Sequence, residues 1–418
     1  MRDGMMEYPP RKILLVDDEQ NVLNGMRRVM WPLRQIWALQ YASCAEQALD
    51  LMASAHFDLI IADIQMPGRN GIYLLERALA DHPRTTRFAL SGFSDREMVL
   101  QAAGVAHQFF AKPCDARRLR AAMQQVFRYR DIVARAPEML ELVSRTQSLP
   151  VLGETHDALA DLFSQAGGDW LGGLHDVVRG DLAMAAKVMH LARWALFDPR
   201  GRVRNLERAL SGLGTDFLRS LFCATTLFRK ADEALVERMA ARTLFAHGVT
   251  CGVLAERIVR TLTPHPRLAA DAAVAGLLLN VGQWLLITAR PREFEIVLEE
   301  HRESGIPLHE LEQKMFGLHH GMLGAALMAF WGLPRIVTET QAFHHNPGDA
   351  VRPVRFVSVA VHAADAILRD LECTEEVSLL FKAICRDDPF LQTRLPQWCA
   401  MARQVKEANY ERPVNSAC

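Results

Sequence analysis

The chain has 418 residues, about two to four domains' worth of polypeptide at roughly 100–200 residues each. Half of it is hydrophobic and 23% charged, which excludes a disordered chain and is enough apolar material for more than one core. Forty-eight basic residues against 49 acidic ones argue against a nucleic-acid coat or a polybasic membrane patch, so neither direct DNA binding nor membrane insertion is expected.

After a polar tail at 1–10, residues 13–16 (ILLV) predict a strand buried on both faces, stopping at Asp17-Asp18-Glu19. Val22, Leu23, Met26, Val29 and Met30 then recur at helical spacing. A strand is expected at 37–43, a helix at 45–55, and a second buried strand at 59–62 that ends in Asp63. Further strands are expected at 88–90 and 108–111, with helices around 74–79, 97–103 and 116–127. Such alternation implies a five-stranded parallel sheet with helices on both faces. Functional groups in these sheets collect at the carboxyl ends of the strands. Asp17, Asp18, Asp63, Ser91 and Lys112 all stand at or just beyond those ends. Clustered carboxylates repel unless a cation sits among them, and hard oxygen ligands suit Mg²⁺.

Residues 131–148 are polar and charged, and sequence alone leaves a linker and an extended helix equally open. From Leu149-Pro150 onward the chain is rich in Ala and Leu without β-branched runs, which predicts an all-α region over 149–410 and a short tail at 411–418. No apolar run is expected to reach the ~18 residues of a spanning helix, and MRDGMMEYPPRK lacks a signal-peptide core. Eight scattered cysteines without a CxxC fit reduced thiols in a cytoplasmic protein.

Residues 11–130 resemble the receiver domain of bacterial response regulators. The resemblance is carried by Leu15-Val16-Asp17-Asp18-Glu19, by 63–71 (DIQMPGRNG), by Leu90-Ser91-Gly92 and by Lys112-Pro113. It implies a flavodoxin-like fold and a phosphoacceptor at Asp63. Mg²⁺ would be held by Asp17, Asp18, Asp63 and the backbone carbonyl of Gln65. Ser91 would be the switch hydroxyl, Phe109 the switch aromatic, and Lys112 the phosphoryl-contacting cation, with the bond before Pro113 in cis. The implied upstream partner is a sensor histidine kinase.

The helical region resembles the HDOD family, a degenerate relative of HD phosphohydrolases. Arg179-Gly180-Asp181-Leu182-Ala183, 209–214 (ALSGLG), Ala275-Gly276-Leu277-Leu278, 316–320 (FGLHH), Trp331-Gly332-Leu333-Pro334 and His344-His345-Asn346-Pro347 carry it. Leu279-Asn280 replaces the His-Asp dyad, and Arg193-Trp194 replaces the family's Asn-Ser. His247, Asn280, His320 and His345 are therefore read as remnants that hold no metal, and no cofactor is expected in this region. The implied function is a response regulator whose non-catalytic output domain acts through an unknown downstream protein, with a homodimer left open. The alternative is a receiver-controlled phosphodiesterase of the HD-GYP kind acting on cyclic di-GMP. Gly348-Asp349-Ala350 stands where its Gly-Tyr-Pro motif would follow the paired histidines.

Overall fold

The computed structural model describes residues 10–92, 96–164, 170–351, 353–370, 391 and 393–410. The tails at 1–9 and 411–418, and residues 371–390 of the helical region, lie outside it.

Five strands, β1 (Arg11–Val16), β2 (Trp37–Ala42), β3 (Leu59–Asp63), β4 (Thr86–Ser91) and β5 (Gln108–Ala111), form one parallel sheet in the order β2-β1-β3-β4-β5. Helices α1 (Gln20–Met30), α2 (Ala45–Ser54), α3 (Gly71–Asp81), α4 (Arg96–Ala102) and α5 (Ala116–Val133) connect and follow them. The apolar run in β1 is fully covered, as a strand between two helical layers requires. Register then fixes the site: Val16 lies beside Ala62, Asp63 beside Leu90, and Ser91 beside Ala111. Asp17, Asp63, Ser91 and Lys112 thus leave the sheet at one end.

Residues 131–148 are no free linker. Helix α5 runs through Asp131 to Val133, and α6 (Pro137–Arg145) buries Met139, Leu140 and Val143. The helical region continues as α7 (Gly153–Ser164), α8 (Trp170–Gly180), α9 (Leu182–Ala192), α10 (Leu206–Leu213), α11 (Thr215–Ala224) and α12 (Glu233–Arg238). Long α13 (Ala241–Leu262) packs on α14 (Pro266–Leu277), followed by α15 (Val281–Ala289), α16 (Pro291–Ser304) and α17 (Leu308–Phe316). Then come α18 (His320–Phe330), α19 (Arg335–Phe343), α20 (Val354–Arg369) and α21 (Leu395–Tyr410). Asp181 shows what the Arg-Gly-Asp-Leu motif does in this fold. Its buried carboxylate caps α9 through Ala183 N and Met184 N and also accepts from Leu152 N, fastening two elements at once.

Two expectations change. The span Pro266–Ala289 is apolar enough to cross a membrane, with mean hydropathy 1.6, because α14 and α15 follow one another closely. It is the core of the helical region, however, with 78% of that stretch buried inside the protein. Cys399 is disulfide-bonded rather than a free thiol, while Cys44, Cys114, Cys223 and Cys251 are free. Scattered spacing says nothing about sulfurs that folding brings together.

The receiver and the helical region share a buried seam. Gln108 in β5 donates to the carbonyls of Ala329 and Phe330, and Gln125 in α5 donates to Leu333 O. Arg118 donates to the carbonyls of Asp198 and Arg193 at 2.8 and 2.7 Å. Lys187 of α9 is fully buried and donates to Ala103 O at 2.9 Å and Gln147 O at 2.7 Å. No carboxylate bridges to it among the described residues, and burial pushes its pKa down to about 7. His190 and His107 beside it are likewise held well below the ordinary imidazole value by burial.

Helices α15 and α18 touch backbone to backbone. A Cβ on Gly282 would lie 2.0 Å from His320 O and 2.6 Å from Gly324 N, so no side chain fits. Gly282→Ala should destabilise the protein by about 1–3 kcal/mol in chemical denaturation. Gly25→Ala, whose Cβ meets nothing within 4 Å on helix α1, should be neutral or stabilising by up to ~1 kcal/mol. Equal effects would refute the close crossing.

Lys187 generates a pH prediction. Its folded pKa lies below its unfolded one, so the unfolded chain binds more protons between the two values. Stability should rise with pH from about 7 upward, and the full penalty should apply below that. Against Lys187→Met, the wild type should gain on the order of 2 kcal/mol between about pH 7 and pH 9, read by denaturant unfolding. Parallel pH curves for the two proteins would rule it out.

Candidate functional site

Three strand ends build an acidic pocket. Lys112 Nζ lies 2.7 Å from Asp63 Oδ2 and 2.7 Å from Asp17 Oδ2, so one ammonium spans both carboxylates. The remaining oxygens are held by the backbone: Asp17 Oδ1 accepts from Glu19 N and Asp63 Oδ1 from Gln65 N, each at 3.0 Å. Asp17 and Asp63 are buried while Asp18 is exposed at the rim. Burial raises the Asp17 carboxyl above its ordinary value despite the Lys112 hydrogen bond. Burial works against the Lys112 ammonium too, but hydrogen bonds to Asp17 and Asp63 hold its pKa above the usual lysine range.

One lysine does not balance three acids. Oxygens of Asp17, Asp18 and Asp63 lie within 4.8 Å of one another, a cluster typical of a Mg²⁺ site. The hard oxygen donors fit that ion. The Lys112–Pro113 peptide is cis, and Lys112 N donates to Ser91 O at 2.7 Å. Helix α3 starts beside the pocket because Asn70 caps it through Tyr73 N.

Ser91 is buried at the end of β4, and Phe109 is buried two strand positions before Ala111. The Phe109 ring does not face solvent. It stacks on Trp194 with centroids 5.2 Å apart and planes 12° from parallel, and Phe109 O accepts from Ala195 N at 3.1 Å. A cavity of about 150 Å³ lies against this pair, lined also by Arg118, Gln125, Arg193 and Leu333. Trp194 occupies a position where the sequence departs from the family pattern, and that departure was the available signal for the contact.

The histidines divide into two groups. His247 Nε2 pairs with Asp365 Oδ1 at 2.7 Å. Burial raises the Asp365 carboxyl, but the hydrogen bond to His247 and the charge of Arg369 outweigh it and hold the pKa below the ordinary range. Asn280 donates to Leu244 O, and Leu279 is packed in the core. His320 and His345 instead meet Nε2 to Nε2 at 3.1 Å, and His344, absent from the expected set, joins them. Glu312, which no sequence motif singled out, accepts from His320 Nδ1 at 2.6 Å. Burial holds His344 and His345 well below the ordinary imidazole value and brings His319 down to about 4.

A family model for the response regulator receiver domain matches residues 13–124, and one for the HDOD domain matches residues 157–347. Among curated relatives, an uncharacterized protein of Treponema pallidum is 27% identical over 196 residues, 47% of this chain and 37% of that protein. The C4-dicarboxylate transport transcriptional regulatory protein DctD of Rhizobium meliloti is 28% identical over 145 residues, 34% of this chain and 31% of its own. The chain thus spans about a third of the length of the curated relatives it matches. Among solved structures, the receiver domain of an HD domain-containing protein from Pseudomonas fluorescens is 33% identical. The match covers 28% of this chain and 94% of that one, at a TM-score of 0.27. The two family matches follow one another along a sheet with the receiver's acidic pocket and a region that is all helix. The chain is a response regulator in which a receiver domain is followed by an HDOD domain.

Proposed function

We propose that a cytoplasmic sensor histidine kinase phosphorylates Asp63 and that the phosphoryl group is sensed by the helical domain through Phe109 and Trp194. The stack of the β5 aromatic on a helical-domain indole is the observation that carries this reading. Asp63 is the nucleophile: a buried carboxylate 2.7 Å from Lys112, in a pocket with two further acids. Bound Mg²⁺, held by Asp17, Asp18, Asp63 and the Gln65 carbonyl, would neutralise charge on the transferring oxygens. Lys112 gives up its bridge to Asp17 and turns to the phosphoryl group, and Ser91 hydrogen-bonds a phosphoryl oxygen. Ser91, at the end of the neighbouring strand β4, moves toward the phosphoryl group, and the shift of β4 and β5 loosens the seat of the Phe109 ring on Trp194. A modification shifts an equilibrium only through such a differential contact.

The helical domain acts by protein–protein contact rather than by hydrolysis. Leu279 is core and Asn280 is spent on a backbone carbonyl, so the dyad position offers neither an imidazole nor an anionic oxygen. Loosening the seam frees surface on α9, α18 and α5 for a downstream partner or a second copy of the chain.

Acetyl phosphate with Mg²⁺ should label Asp63 by mass spectrometry and leave Asp63→Ala unlabelled. Beryllofluoride should speed amide exchange in α9 and in 193–197. Phe109→Ala should remove most of that response while leaving Asp63 labelling largely intact. Label on another acid in Asp63→Ala, or exchange indifferent to beryllofluoride, would contradict the proposal.

A further inference from the structure

We propose that His320, His344 and His345 bind one divalent transition metal ion of the zinc class, in a site distinct from the receiver's carboxylates. Each offers a ring nitrogen, and the three nitrogens lie within 4.8 Å of one another. The other ring nitrogen is already committed in two of them. His320 Nδ1 donates to Glu312 Oε2 at 2.6 Å, and His344 Nδ1 donates to Gln341 O at 2.7 Å. Both imidazoles therefore turn Nε2 lone pairs inward. A carboxylate or carbonyl behind each ligating ring is the outer arrangement that orients histidine toward a metal. His345 Nε2 faces His320 Nε2 at 3.1 Å, and two nitrogens at that distance need a proton or a cation between them.

The surroundings point the same way. Glu312 is fully buried, its Oε1 has no hydrogen-bond partner, and its ion-pair partner among the described residues is the His320 ring. A buried carboxylate with so little compensation favours positive charge reaching it through His320. His309 stacks on His345 at 4.0 Å and His319 meets it edge-on at 5.5 Å, with His319 Nδ1 buried and unpartnered. Three neutral nitrogens without a thiolate suit zinc, cobalt or nickel rather than magnesium.

The expectation of a metal-free helical domain rested on Leu279-Asn280, which supply neither the imidazole nor the carboxylate of a His-Asp dyad. That absence does not remove these three ligands, because His344 takes part. The ion would clamp the start of α18 to the residues just after α19. The opposite end of that helix pair, Trp331 to Pro334, lines the seam with the receiver. The site is therefore placed to stiffen the docking surface rather than to hydrolyse a substrate.

Untagged full-length protein, stripped with chelator, should be titrated with Co²⁺ in excess Mg²⁺, which occupies the receiver's oxygen ligands. One equivalent should give the intense visible bands of a four-coordinate site with three imidazoles and a water, and Zn²⁺ should displace it. His344→Gln and His345→Gln should lose the bands while His247→Gln keeps them. Because a buried variant can misfold, X-ray absorption on the wild-type Zn²⁺ protein provides the independent reading, with about three imidazoles expected in its outer shells. No bound equivalent in the wild type, oxygen-dominated scattering, or bands that survive in both His344→Gln and His345→Gln would overturn the proposal.

Discussion

Trp194 lying flat on Phe109 couples the two halves of this molecule. An offset aromatic pair contributes about 0.5–1.5 kcal/mol beyond the area it buries, so the stack alone does not hold the domains together. What matters is its position. Phe109 belongs to β5, which ends at Ala111 just before Lys112, while Trp194 closes the turn after α9. One strand therefore joins the acidic pocket to the helical domain. Around the stack, Gln108, Arg118, Gln125 and Lys187 spend their donors on backbone carbonyls across the seam. Those bonds fix orientation tightly and add modest net stability, about 0.5–1.5 kcal/mol each for neutral donors.

Such a seam suits a switch. Moving a two-state equilibrium from 1:99 to 99:1 takes about 5.5 kcal/mol of differential interaction. A seam made only of apolar surface would exceed what one phosphoryl group can supply. Here the buried Lys187 ammonium, without a carboxylate, works against closure. In the proposed switching, that uncompensated ammonium lowers the cost of opening the seam.

Much of the receiver could be read directly. Its strands are apolar runs bounded by acids or turn residues, and parallel strands place their ends together, so Asp17, Asp63, Ser91 and Lys112 could be named before any coordinates. The helical region yielded its class through period and motif, but its site did not follow from motifs alone. Glu312 and Asp365 look like surface acids on amphipathic helices, and only tertiary packing buries them against His320 and His247. His344 was visible as half of a pair, yet that both halves point into one cluster depends on how α19 ends. Lys187 reads as a solvent-facing residue in a helix that turns out to be buried on every side. Trp194 stood out as a departure, and the reason lies in another domain, which local sequence does not encode.

The central claim is that chemistry at Asp63 changes the placement of the receiver on the helical domain. Spin labels attached through non-canonical residues at the exposed positions Arg120 and Glu207 sample that placement without touching the seam. Double electron–electron resonance should give one narrow distance distribution in the unmodified protein. Beryllofluoride with Mg²⁺ should broaden or lengthen it, and Asp63→Ala should abolish the change. A narrow, identical distribution in the free and beryllofluoride states would contradict the claim, leaving the seam a fixed joint rather than a switch.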